Sequence, residues 1–188
     1  MKKISLIGAA MFAAISTNVV ADNKFAIETD PYTFVQSGDS LHIKFSPAAA
    51  PNWRLGLGVY SLELPSFMVD LNSENDNKDW TVDLERGVGL FADYYFNTNQ
   101  EGWYVGAQIS TQDYAVSAEN SYAEYTNGLL MFSLGYRYPL FDSKQWYVQP
   151  WMGLGYTKTT SGKQDRLAAG YDVDPLVGFA TLHIGYQF

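Results

Sequence analysis

Residues 176–188 constrain the fold of this chain more than any other stretch. They read LVGFATLHIGYQF, with Leu176, Gly178, Ala180, Leu182, Ile184, Tyr186 and Phe188 on one parity and Val177, Phe179, Thr181, His183, Gly185 and Gln187 on the other. A period of two is that of a β-strand. The same alternation returns over Trp53–Leu64, Val88–Phe96, Trp103–Ala115, Gly128–Leu140 and Trp146–Tyr156. In each, one face is apolar (Leu55, Leu57 and Val59, for example) and the other mixes glycine with polar and aromatic residues. A soluble sandwich turns its apolar face inward and carries Lys and Glu outside. Here charged residues make up only 17% of the chain, against about 25% in ordinary soluble domains, and aromatics reach 16%. No helical period of useful length interrupts the pattern. These features predict a closed sheet with an apolar exterior and a narrow, interlocked interior.

The first 21 residues read as a secretory leader: Lys2 and Lys3, an apolar core from Ile4 to Ile15, then Val19-Val20-Ala21 before Asp22. The apolar run is too short to cross a bilayer as a helix. Its removal leaves one domain over residues 22–188. The net charge of −8 becomes more negative when the two lysines leave. An acidic surface argues against a nucleic-acid partner, since phosphate binding needs basic residues. There is no cysteine, so an exported domain must be held by packing or by closure of its sheet.

The connections are asymmetric. Three short ones end in tryptophan: Ser46–Asn52 before Trp53, Asn97–Gly102 before Trp103, and Phe141–Gln145 before Trp146. Each tryptophan lies on the apolar parity of the strand that it opens. With Tyr138 and Phe188 these residues predict an aromatic girdle at one membrane rim. Longer, more polar connections are expected over Pro65–Thr81, Ser117–Thr126 and Thr157–Pro175. Ser40–Phe45 adds a strand, and Lys24–Gln36 supplies a poorer one that Asp30-Pro31 interrupts. Eight strands result, with a Ser37-Gly38-Asp39 turn between the first two and a bulge expected at Pro150.

A terminal amphipathic strand that ends on Phe188, two residues after Tyr186, resembles the ending of bacterial outer-membrane β-barrels. With the leader and the loop asymmetry, the mature chain resembles the small eight-stranded barrels of the OmpA-like, OmpX-like and OmpW-like group. That resemblance implies an all-β, antiparallel up-and-down barrel in the outer membrane, short periplasmic turns and longer extracellular loops. It also implies a monomer among outer-membrane lipid and lipopolysaccharide, whose C-terminal strand is read by the barrel-assembly machinery.

Motifs with chemical potential are few. Gly56-Leu57-Gly58, Gly87-Val88-Gly89 and Gly153-Leu154-Gly155 lack the third glycine and the helix of a nucleotide loop, and read as inward glycines. Asp70, Asn72, Glu74 and Asp76 space oxygen ligands like a calcium loop, yet Asn75 stands where glycine is needed and Thr81 where the bidentate glutamate belongs. A solvated acidic loop explains them, and neither a metal nor another cofactor is expected. Lipid A deacylases of this size pair a His and a Ser on the outer wall. Here His42 and His183 have inward parity and no His-x-Ser motif exists. Glu28, Asp30, His42, Lys44, Arg54, Asp93, Arg137 and His183 all fall on the interior parity, and predict a lumen of mixed charges that pair with one another. His183 is expected beside Glu28 and Asp30, because the first and last strands of a barrel are neighbours. The leading functional expectation is a non-enzymatic barrel acting in envelope integrity or surface interaction through its loops. The alternatives are OmpW-like passage of small apolar molecules, with Pro150 as a lateral break, and a lipid A-modifying enzyme.

Overall fold

The computed structural model of the chain describes residues 23–76, 78–118, 121–162 and 170–188. The leader expected over the first 21 residues lies outside them. Eight strands form a closed antiparallel ring in which each pairs with its neighbours in sequence. They are β1 (Lys24–Thr29), β2 (Asp39–Ser46), β3 (Trp53–Glu63), β4 (Thr81–Tyr95), β5 (Gly102–Ala118), β6 (Ser121–Leu140), β7 (Trp146–Ser161) and β8 (Leu176–Gln187). The expected parities hold. Leu55, Leu57, Ile109, Phe132, Leu134, Met152 and Leu154 lie exposed on the outer wall, while Glu28, Lys44, Arg54, Asp93 and Arg137 are buried inside. No described helix is long and apolar enough to cross a membrane, and the strands do so instead.

Four elements depart from the sequence expectations. The first strand stops at Thr29, and Pro31–Val35 forms a short helix, α1, in place of a continued ladder. Asp30 is its N-cap, accepting the Tyr32 N–H at 2.8 Å, and Pro31 fills the first turn, where its missing N–H costs nothing. Second, β4, β5, β6 and β7 run for 15, 17, 20 and 16 residues, beyond the roughly 9–11 that span a bilayer. They rise above the membrane, so most of the loop expected over Ser117–Thr126 is strand, paired from Asp113↔Thr126 to Ala118↔Ser121. Third, the stretch expected as loop from Thr157 is still strand as far as Ser161, and residues 163–169 of that expected loop lie outside the described residues. Fourth, Pro150 makes no bulge: β6 and β7 keep one register from Gly135↔Trp151 to Tyr138↔Val148, and Pro150 sits opposite Leu182 in an unbroken ladder with β8. The register shifts lie at Tyr60/Leu62, Leu84/Arg86 and Thr126/Asn127.

Apolar packing is concentrated at the loop end. The β3–β4 connection carries a second helix, α2 (Ser66–Val69), whose Val69 joins Trp80, Val82, Val116 and Tyr125 in a buried cluster. Tyr171 and Val173 of the β7–β8 connection close over it, with Trp80 and Tyr171 edge to face at 5.5 Å. The loops therefore cap the barrel.

Candidate functional site

A layer of buried charge crosses the lumen, centred on Glu28 of β1. Its carboxylate meets the Arg54 guanidinium at 3.2 Å, Lys44 Nζ at 3.8 Å and His183 Nδ1 at 3.3 Å, and accepts the Tyr147 hydroxyl at 2.8 Å. Lys44 reaches across to Asp93 at 2.9 Å. Arg54 donates to the Tyr147 hydroxyl at 2.5 Å. Arg137 lies over the Tyr147 ring at 3.9 Å, and donates to the Gln100 carbonyl and to Gln187 Oε1, both at 2.9 Å. Buried charges are tolerated only when paired and hydrogen-bonded, and here each has at least one such contact.

The expected eight-residue network is thus partly assembled. Glu28, Lys44, Arg54, Asp93 and His183 join directly, and Arg137 joins through Tyr147 and not through a carboxylate. Asp30 stands apart, because its side chain is taken by the helix cap and by the Thr181 hydroxyl at 2.9 Å. His183 therefore meets Glu28 but not Asp30. His42 joins by stacking on His183, with ring centroids 4.8 Å apart. Parity and charge together single out these residues, whereas their neutral partners carry no formal charge to mark them. Tyr95, Tyr147 and Gln149 share the inward parity, and Tyr95 donates to Gln149 at 2.9 Å.

Glycines make this layer possible. A Cβ at Gly58 would overlap the His42 ring, and one at Gly185 would overlap the Tyr147 ring. Small residues on one strand open space for large ones on the next, as a narrow barrel requires.

The histidines are placed by other rings. Trp151 Nε1 lies 3.2 Å from His183 Nε2; an indole N–H only donates, so the ring proton of His183 sits on Nδ1, toward Glu28. His42 Nδ1 is buried and has no hydrogen-bond partner among the described residues. Among the described residues no hydroxyl bonds to either ring. Ser40, the nearest serine in sequence to His42, instead accepts the Asp30 N–H at 2.6 Å. Above His42 the Tyr60 hydroxyl donates to Ser110 at 3.0 Å and accepts from Gln108 at 2.8 Å and Gln112 at 3.2 Å. Between this cluster and the loop cap lies a crevice of about 130 Å³, lined by His42, Tyr60, Leu84, Met131 and Phe179 among others.

The acidic loop is held by amides. Asn72 and Asn75 both donate to the Asp172 backbone carbonyl, at 3.3 and 2.8 Å, and Asn72 Oδ1 accepts the Glu74 N–H at 3.0 Å. Asp70 ends α2. Among the described residues no three His, Cys, Asp or Glu side chains converge to hold a metal.

At the opposite rim, aromatic pairs recur on the outer wall. Trp53 meets Tyr94 at 5.2 Å, Trp103 meets Tyr136 at 5.2 Å, and Trp146 meets Tyr186 at 5.0 Å, each across one strand pair and near edge to face. Phe188 packs on Tyr186 at 5.2 Å, and its N–H donates to the Phe25 carbonyl at 2.9 Å. Tyr138 is exposed on the same wall. These edge-to-face contacts are the favoured aromatic geometry.

A closed ring of eight antiparallel strands, apolar outside and polar within, is a transmembrane β-barrel. The chain belongs to the outer membrane protein beta-barrel domain family, whose profile matches residues 43–185, and it resides in the outer membrane. No curated protein matches the chain. Among solved structures it is similar to the N-terminal beta-barrel domain of Pseudomonas aeruginosa OprF, with 13% identity and a TM-score of 0.50 over 88% of this chain and 96% of that one. Neisserial surface protein A aligns at 14% identity and a TM-score of 0.48, over 88% and 92% of the two chains. A major outer membrane protein from Thermus thermophilus aligns at 15% and 0.46, over 88% and 99%. At these identities the likeness speaks to the fold alone.

Proposed function

We propose that this chain is a non-enzymatic outer-membrane barrel with a filled lumen, acting in envelope integrity or surface interaction through its extracellular loops. The observation that carries this reading is the layer from Arg137 through Tyr147, Arg54, Glu28 and Lys44 to Asp93, which occupies the lumen with paired charges and rings. The capped loop end adds to it, since Trp80, Tyr125 and Tyr171 pack together above the lumen. Such a barrel presents shape and charge at the cell surface and does not conduct solutes along its axis. Lipopolysaccharide around the wall and the assembly machinery at the C-terminal strand are the partners this reading assigns, with the chain as a monomer. Hydrolysis of lipid A is disfavoured by the inward histidines, neither of which bonds to a hydroxyl among the described residues. The test is a deletion strain. Raised sensitivity to detergent, restored by the intact gene, with an unchanged lipid A mass profile, is the expected result. Normal detergent resistance together with an altered lipid A profile would overturn it.

A further inference from the structure

The barrel is closed unevenly. The β1–β8 ladder runs only from Ala26↔Gln187 to Thr29↔Ile184. Beyond it, residues 176–183 of β8 remain paired with β7 on one side, from Gln149↔His183 to Tyr156↔Leu176, and have no β1 partner on the other. A bare strand edge is costly within hydrocarbon, so something must cover it. α1 packs against β8, and the Asp30–Thr181 hydrogen bond at 2.9 Å bridges the gap at one point.

Two cavities meet beside this seam. Inside is the crevice of about 130 Å³ above His42. Outside, a groove of about 980 Å³ runs along the wall between Met152, Leu154 and Ala180 and the overhanging Tyr32, Phe67 and Leu71. Met68, Gly178 and Phe179 line both. The outward residues of β8 here are Gly178 and Ala180, facing Leu154 and Met152 across the ladder, so the wall is thinnest where the cavities adjoin. Among the described residues neither cavity is lined by a lysine or arginine, and an anionic headgroup finds no counter-charge there.

We infer that the β1–β8 seam is a side opening through which a hydrocarbon chain from the membrane enters, its end in the crevice and its remainder in the outer groove. The occupant follows from position: the groove is continuous with the lipid-facing wall and its lining is mostly apolar. The size follows from volume. An apolar cavity on the order of 150 Å³ takes up benzene; the crevice of about 130 Å³ is lined by Leu62, Leu84, Met131 and Phe179 together with Asp30, His42, Gln108, Gln112 and His183, so its apolar part has room for the last few carbons of a chain and not for a whole lipid. This site adds to a barrel that does not conduct along its axis, and it stands whether or not the loops act in surface interaction. It also moves the lateral break from Pro150, where the ladder is continuous, to β1–β8.

The same chemistry is offered by a lipid acyl chain and by a free fatty acid. Trp151 lines the crevice and reports on both. In a variant whose other four tryptophans are replaced (W53F, W80F, W103F, W146F), the chain is refolded into nanodiscs of phosphatidylethanolamine brominated at the chain ends. A second arm uses unbrominated nanodiscs with a brominated free fatty acid. Gly178→Phe is the control: a Cβ there meets only Leu154 at 3.5 Å, and the ring would fill the shared wall. Loss of Trp151 emission in either arm, relieved by Gly178→Phe, is the expected result, and the arm that shows it identifies the source. Emission unchanged in both arms, or lost equally in Gly178→Phe, overturns the inference. Native mass spectrometry of the wild-type chain with the same fatty acid is a readout free of substitutions: a bound adduct supports the free-acid source. Absence of an adduct, together with no quenching in the lipid arm, overturns the proposal.

Discussion

Replacing Glu28 by glutamine tests the ionic layer at its centre. The wild-type carboxylate is fully buried and faces Arg54 at 3.2 Å, Lys44 at 3.8 Å and His183 at 3.3 Å. Glutamine keeps the volume and removes the charge. Lys44 retains Asp93 at 2.9 Å, so its loss is partial. Among the described residues Arg54 retains only the Tyr95 and Tyr147 hydroxyls, at 3.5 and 2.5 Å, and is left as a buried charge without a counter-charge. Breaking a buried pair from one side costs about 3–5 kcal/mol, and that cost falls mainly on Arg54. Guanidinium unfolding of the refolded barrel in micelles, followed by its gel mobility without boiling, should show a lower midpoint for Glu28→Gln. The double variant Glu28→Gln/Arg54→Gln should recover much of the loss, because both charges are then gone. A loss below about 1 kcal/mol, the range of an exposed pair, or a double variant that is merely additive, would refute the reasoning.

Other positions separate packing from charge. Gly185→Ala should lower the unfolding midpoint by about 1–3 kcal/mol of overpacking, since Tyr147 is held between Arg54 and Arg137 and cannot yield; Gly178→Ala, facing only Leu154 at 3.5 Å, should leave the midpoint unchanged. Trp103→Ala removes the edge-to-face contact with Tyr136, and should cost about 0.5–1.5 kcal/mol beyond lost burial, with slower insertion into liposomes measured by gel shift. Arg86→Ala breaks the exposed pair with Asp113, and should lower the unfolding free energy, measured in urea at low salt, by about 1 kcal/mol at most.

The membrane-embedded part of the fold was legible because its two faces differ so sharply. Outside, Leu55, Ile109, Phe132 and Leu154 alternate with residues turned into the lumen, and Trp53, Trp103 and Trp146 mark where β3, β5 and β7 begin. The pattern fades once the strands leave the membrane. Above the bilayer, Val82 and Leu84 are buried on one parity, while Gly87 and Gly89 face inward on the other. The irregularity between Leu84 and Arg86 shifts the register between them, so no single period carries β4 upward. The upper half of β6 was hidden by Thr126 and Asn127, which look like loop residues although Asn127 is buried. At the first strand the Asp30-Pro31 signal was visible as an interruption, but a five-residue helix has too few residues to show a period of its own. In the lumen, charge identified Glu28, Arg54 and Lys44, whereas the tyrosines and glutamines that complete the layer have no formal charge to draw attention. The seam was invisible in the sequence, because it depends on where β1 ends relative to β8 and not on any residue pattern within either strand.

A lumen filled by its own side chains leaves no axial path for ions, and current across a planar bilayer tests this. The folded chain, reconstituted at single-barrel density, should give no current above that of the bare bilayer at either polarity. Reproducible, ohmic conductance steps from the wild-type chain would show an open axial path, and would contradict the buried ionic layer as the feature that defines this barrel.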